Sequence, residues 1–385
     1  MSEHHVEREQ RVTPFELFFD LVFVFALTQV TTFLADDPTW HGLARAVLLL
    51  GTLWWAWAGY AWLTNTIDAD EDAVLVALLA AMAALFAAAL AVPTAFTRHP
   101  LVFGVAFLLV NLMHVTLYAL AARDDPDFLA AVARMARTAL PAATLILVAA
   151  FVGEDVRPWL WLAALAVGLI GPVLIDVSAW QLHPAHFVER HGLIIIIALG
   201  ESLIAVGVGA RDTSLGAGVI AAALLGLAIA TSFWVAYFDF FAVRFEQVLT
   251  RQRGAARIAL ARDAYTYLHL PMVVGIVLTA FALRRAVEHV GHDLDTVSAF
   301  ALCGGSALYL LSYVAMRWRV SRGFGRGRLV AGAVFAVLIP VAASVPAVAA
   351  VALVTATWVC LHAYEIIWWR DERAQSRALR RPSPR

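Results

Sequence analysis

From Phe15 to Trp369 the chain is a succession of long apolar runs with only short charged stretches between them. One helix needs roughly 20 apolar residues to cross a bilayer. In lipid, backbone polar groups must be satisfied inside a helix or a closed barrel. The runs here are continuous rather than alternating, which argues against a barrel. An all-α polytopic membrane protein is therefore expected. Composition agrees, because 62% of the 385 residues are hydrophobic and 15% are charged. Soluble domains run at about 45–50% and about 25%.

Twelve transmembrane helices are read, near 15–34, 43–63, 73–96, 101–122, 138–152, 159–180, 188–208, 215–243, 264–283, 297–316, 329–344 and 345–369. The last two meet at Ser344-Val-Pro346, which reads as a helical hairpin or as one kinked or re-entrant segment. All 28 basic residues are Arg, and cytoplasmic loops collect them. With the amino terminus inside, 22 fall on the cytoplasmic side and six (Arg45, Arg98, Arg157, Arg211, Arg284 and Arg285) on the other. Both termini are thus expected to be cytoplasmic, with residues 1–13 a polar lead and 370–385 a basic tail near the anionic leaflet. No cleavable signal peptide is expected. Cys303 and Cys360 lie in apolar runs and read as buried small side chains.

The chain also echoes itself. Glu16-Leu-Phe-Phe-Asp20 opens a run that closes on Ala26-Leu-Thr-Gln29, and Glu189-Arg-His191 opens one that closes on Ala198-Leu-Gly-Glu201. At that offset of 172 residues Gln29 falls on Glu201. Trp57-Ala-Gly-Tyr60 then parallels Trp234-Val-Ala-Tyr237, and Tyr118 to Arg123 resembles Tyr313 to Arg317. Two six-helix halves, 1–187 and 188–385, are expected. Six is even, so they would be parallel repeats about an axis along the membrane normal.

Three stretches carry a family resemblance: Thr13-Pro-Phe-Glu-Leu-Phe-Phe-Asp20 and its continuation to Ala26, Leu53-Trp-Trp-Ala-Trp-Ala-Gly-Tyr60, and Glu189-Arg-His-Gly-Leu193 through Ala198-Leu-Gly-Glu-Ser202. In these the chain resembles the bacterial low-temperature-requirement A (LtrA) family. The resemblance implies a multi-pass protein of the bacterial cytoplasmic membrane, and it brings no substrate or reaction with it. The Phe19-Asp20 pair in a first helix is also similar to a class of endolysosomal potassium channels with six-span repeats, without that class's intervening Ser, a likeness of fold alone.

Charged groups at bilayer depth are costly and mark candidate sites. Glu16 and Asp20 share a helix face four residues apart. They read either as an ion or proton site or as carboxylates paired to an Arg. Glu201 is placed about ten residues into its span, roughly 15 Å deep, and must find a partner on another helix, a proton or a cation. Ser202 sits beside it. Glu189, Arg190 and His191 form a cytoplasmic gate network with Glu16 and Asp20 or an interfacial salt-bridge cluster. Secondary polar positions are Asn111 and His114 (a stripe completed by Tyr118), Asp176, Asp239, and His362 with Glu365. Thr28 and Thr31 continue the Asp20 face and read as interhelical hydrogen-bonding groups. The tryptophans of the second span read as packing or interfacial anchors.

His183-Pro-Ala-His186 matches no zinc spacing, and no metal is expected. Walker, dinucleotide and nucleophile-elbow motifs are absent, and no cofactor is expected. The lipid bilayer, a small ion or solute, and a homo-oligomeric partner are compatible with the chain, and nucleic acid is not. The leading function is a channel or transporter using buried carboxylates. Alternatives are a membrane-embedded enzyme acting on lipid and a non-transporting sensor or scaffold.

Overall fold

The first span begins at a capping box. Thr13 Oγ1 accepts from the Glu16 N–H at 3.2 Å, and Glu16 Oε2 accepts from the Thr13 N–H at 2.9 Å. Pro14 at the first helical position has no N–H to satisfy, which suits a helix start. Helix α1 then runs Pro14–Asp36. The computed structural model describes residues 12–67, 71–174, 179–211, 213–239 and 241–368, apart from 322 and 324. Asp176 and the tail from Arg370 to Arg385 lie outside the described residues.

The first half continues with α2 Trp40–Thr64, α3 Asp72–Ala91, α4 Pro100–Ala121, α5 Pro126–Val148 and α6 Arg157–Leu174. The second has α7 Pro184–Gly209, α8 Ala217–Phe238, the short α9 Phe241–Arg251, α10 Gly254–Ala261, α11 His269–Glu288, α12 Thr296–Ser321, α13 Arg326–Ala342 and α14 Ala347–Trp368. A π-helical stretch, Arg262–Tyr267, joins α10 to α11 into one 35-residue segment. Among the described residues eleven helical segments are long and apolar enough to cross a membrane. α13 has 17 residues, about 25 Å at the α-helical rise. It nonetheless returns the chain to the end of the bundle where α12 began. There the Ala347 N–H donates to His292 O at 2.8 Å, and Asp293 bridges Pro346. The Ser344 to Pro346 join is therefore the turn of a hairpin between two separate helices.

Neighbours follow one order in both halves. α1 packs on α2 and α3, α3 on α4, α4 on α5, α5 on α6, and α6 back on α2. α7 packs on α8 and α11, α11 on α12, α12 on α13, α13 on α14, and α14 back on α8. The halves meet where α1 lies against α7 and α11. α2, the α10–α11 segment and α12 are the most enclosed, while α3, α5 and α6 keep most of their apolar surface outward. Val76, Phe86 and Leu90 on α3 and Leu101, Val105 and Leu112 on α4 are exposed. Apolar faces of this extent suit lipid rather than water.

The tightest crossing is between α11 and α12. A Cβ on Gly275 would lie 2.5 Å from Gly305 O, and one on Gly305 would lie 2.6 Å from Gly275 O. Small residues let membrane helices approach to backbone contact. Arg157, assigned to an outer loop by charge, is buried instead. Its Nε donates to Ala149 O at 3.0 Å, its Nη2 to Val152 O at 2.9 Å, and its Nη1 to Phe96 O. It thereby takes up carbonyls left over where helical segments end.

Candidate functional site

The α1–α7 seam holds the buried charges. Arg190 Nη1 lies 2.7 Å from Glu16 Oε1, and Nη2 donates to Asp20 Oδ1 at 2.9 Å. The first contact is close but off the hydrogen-bonding direction. Trp57 Nε1 on α2 also donates to Asp20 Oδ1, at 2.9 Å. Asp20 is fully buried, Glu16 and Arg190 are each 1% exposed, and Asp20 Oδ2 has no hydrogen-bond partner.

A fourth residue, His186, completes the cluster: its Nε2 donates to Glu16 Oε2 at 3.0 Å. Its tautomer follows from Asn65 at the end of α2. Asn65 Nδ2 donates to His183 O at 3.0 Å, and Asn65 Oδ1 accepts from the His183 N–H at 2.8 Å. These two backbone bonds fix which way the amide faces. The second Nδ2 proton then points at His186 Nδ1, 3.0 Å away. A nitrogen that accepts carries no proton, so His186 is neutral with its proton on Nε2. Two carboxylates thus share one guanidinium and one uncharged imidazole.

The three consecutive residues Glu189, Arg190 and His191 do not act together. Glu189 is exposed and its Oε2 accepts from the Val12 N–H at 3.3 Å. Arg190 faces α1. His191 points into an aromatic cage of Trp54, Trp57, Phe187, Tyr265 and His269. Its Nδ1 proton goes to Phe187 O at 2.9 Å, which makes Nε2 an acceptor. The cage sits against the π-helical stretch. Pro271, five residues after Thr266, has no N–H to meet the Thr266 carbonyl in that register. Trp54 Nε1 donates to that carbonyl at 2.9 Å and Trp62 Nε1 to Thr266 Oγ1 at 2.8 Å. Trp54, Trp57 and Trp62 are therefore bonded inside the protein, and Trp54 and Trp57 are not interfacial anchors.

Glu201 lies farther along the same seam. α7 starts at Pro184, earlier than the apolar run alone indicates, so Glu201 is about 26 Å from its start by helical rise. That places it beyond the middle of the helix rather than at its midpoint. It is 1% exposed, and Thr28 Oγ1 donates to its Oε2 at 2.5 Å. The same hydroxyl lies 3.2 Å from Val24 O. Among the described residues no Arg or His nitrogen is within ion-pair distance of Glu201. Ser202, also buried, has no hydrogen-bond partner for its Oγ.

The remaining candidates fall elsewhere. Glu365 on α14 is paired with Arg328 on α13, Nε to Oε1 at 2.6 Å, and the guanidinium lies 3.6 Å over the Tyr313 ring. His362 Nε2 donates to Ser232 O at 3.2 Å. These two residues belong to a buried ion pair of the second half, and Arg328 is no loop residue. Asp239 caps α8, its N–H bonded to Val235 O at 3.0 Å. Asn111 and His114 line a cavity of about 120 Å³ between α2, α4, α5 and α6. Residues 55, 59 and 62 of α2 face this cavity, while Trp57 faces Asp20. The cavity and the carboxylates therefore lie on different faces of one helix.

Asn65 carries no signal of its own in the sequence, and His186 stands out only for a zinc spacing it does not match, because each gains its role from a partner more than a hundred residues away. The model of the family described as bacterial low temperature requirement A protein (LtrA) matches residues 11–363. The chain belongs to the LtrA family. A relative carried under the name "Uncharacterized protein RA0937", from Rhizobium meliloti (strain 1021), is 31% identical over 329 residues, covering 80% of this chain and 76% of its own. No solved structure matches this LtrA-family protein. The family match runs across both halves, so the α1–α7 seam lies wholly within it.

Proposed function

We propose that this LtrA-family protein is a channel or transporter for a small ion or solute in the bacterial cytoplasmic membrane, working through the carboxylates of the α1–α7 seam. The observation that carries the proposal is Glu201, a buried acid in a spanning helix whose bonded partner is a hydroxyl. The Thr28 hydroxyl has one proton and two acceptors, Glu201 Oε2 and Val24 O. When that proton turns to Val24 O, Glu201 can hold a proton of its own and donate it to Thr28. Both states keep their hydrogen bonds, which suits a group that gains and loses a proton.

The Glu16, Asp20 and Arg190 cluster supports the same reading. With His186 neutral, two carboxylates face one cation, and a proton or small cation would balance the second acid. We further read the shared neighbour order as two parallel six-helix halves. Their counterpart helices α1 and α7 then meet along a central path. We read α13 as a twelfth crossing, which would put both termini on the cytoplasmic side, and the distribution of arginines supports that reading.

Flux into proteoliposomes tests the site. Wild-type protein is expected to dissipate a proton or alkali-cation gradient, and Glu201→Gln to slow this by about tenfold or more, as loss of a proton-transfer group does. Wild-type rates in both Glu201→Gln and Asp20→Asn would remove these residues from the path. Topology has its own check. Reporters fused at either terminus are expected to be active only in the cytoplasm, and a periplasmic signal from one terminus would break the twelve-span reading.

A further inference from the structure

The cavity on the other face of α2 is a second site, and its walls define what fits it. Its volume of about 120 Å³ is close to the roughly 150 Å³ of an engineered apolar cavity that holds benzene. Trp55, Tyr60, Trp62, Tyr118 and Trp180 supply aromatic walls, so a flat ring meets flat partners.

The polar groups narrow the choice. Tyr118 Oη and Trp180 Nε1 both belong to lining residues, are enclosed, and make no hydrogen bond of good geometry, although the Thr66 side chain lies close enough to act on Tyr118. Tyr118 is itself fully buried. Their rings meet edge to face with centroids 5.2 Å apart, so the two side chains are neighbours in the cavity wall. Buried donors left unpaired are costly, and a ligand oxygen there would satisfy them. His114 offers the complementary group. Its Nε2 proton goes to Gly59 O at 3.0 Å, so Nδ1 is an acceptor. A Cβ on Gly59 would come within 3.2 Å of His114 Nε2, and the glycine lets the imidazole sit against α2.

Charge is not on offer. Among the described residues no carboxylate lines the cavity. Arg262, the one guanidinium among the described lining residues, is spent, with Nε and Nη2 on Asp263 Oδ1 and Nη1 on Pro172 O. We infer that this cavity binds a neutral single-ring hydroxyarene, whose oxygen accepts from Tyr118 and Trp180 and whose hydroxyl proton goes to His114.

The test uses the full chain in detergent with phenol and toluene as probes, followed by calorimetry. The two probes share size and flatness and differ in the hydroxyl. Phenol is expected to bind saturably and at least about fivefold more tightly than toluene, the size of one net hydrogen bond. Tyr118→Phe is expected to remove most of that preference while leaving toluene affinity unchanged. Ala139→Leu, which fills the cavity from α5, is expected to abolish binding of both, with gel filtration confirming the fold of each variant. Equal affinity for the two probes, phenol affinity unchanged in Tyr118→Phe, binding that survives Ala139→Leu, or no saturable binding of phenol to the wild-type chain would each overturn the inference. None of these outcomes depends on ion flux, so the carboxylate reading stands or falls separately.

Discussion

Arg190→Met is expected to lose about 3–5 kcal/mol of stability, the cost of leaving buried acids without their cation. Glu16 and Asp20 would face each other across a buried seam with a neutral imidazole, an indole N–H and the Thr13 N–H as their remaining partners. Glu16 also holds the first turn of α1, because its Oε2 accepts from the Thr13 N–H. Loosening the cluster therefore frays the start of α1 as well as parting it from α7. The thermal midpoint of detergent-solubilised protein, read by fluorescence-detected gel filtration, measures the loss. The triple variant Glu16→Gln, Asp20→Asn, Arg190→Met is expected to recover part of it, since it buries no net charge. An unchanged midpoint in Arg190→Met alone would mean that the cluster does not hold the seam.

Gly275→Val is the second large effect. The new Cβ would sit 2.5 Å from Gly305 O and 3.0 Å from Tyr309 N, and both are backbone atoms that cannot rotate away. α11 and α12 would have to separate along the most extensive helix contact in the protein. Overpacking typically costs about 1–3 kcal/mol, and this site belongs at the upper end. Gly332→Ala on α13 is the control, because its nearest neighbours would be 3.7 Å away. A sharp fall in folded yield for Gly275→Val beside near-normal Gly332→Ala is the expected pair of results. Equal yields would show that the crossing has slack.

The sequence made the spans legible because each must bury an unbroken apolar length, and that demand is local. It misjudged where helices continue past the lipid. The run near 138–152 is the lipid-depth part of α5, which starts at Pro126. Arg134 and Arg137 interrupt the apolar pattern without ending the helix, although Asp125 before Pro126 was a readable start. Likewise α10 and the π-helical stretch precede the apolar run of α11. The candidate site was half legible. Glu16, Asp20, Arg190 and Glu201 stand out as charges inside apolar runs. Arg328 and Arg157 did not, because counting arginines by loop treats each as a solvated charge. Their burial depends on acceptors brought in by the fold, such as Glu365, 37 residues later.

That same pair sets an order of events during synthesis. Arg328 opens α13, and the carboxylate that neutralises it lies near the end of α14, the last described helix. While the ribosome is still making α14, Arg328 has the Tyr313 ring of α12 and Ala236 O of α8 as neighbours but not yet its carboxylate. The ion pair with Glu365 closes last, so the packing of α13 is expected to be completed only when α14 is in place. Truncation of the chain before Glu365 is expected to leave the buried Arg328 without its carboxylate and so to loosen α13.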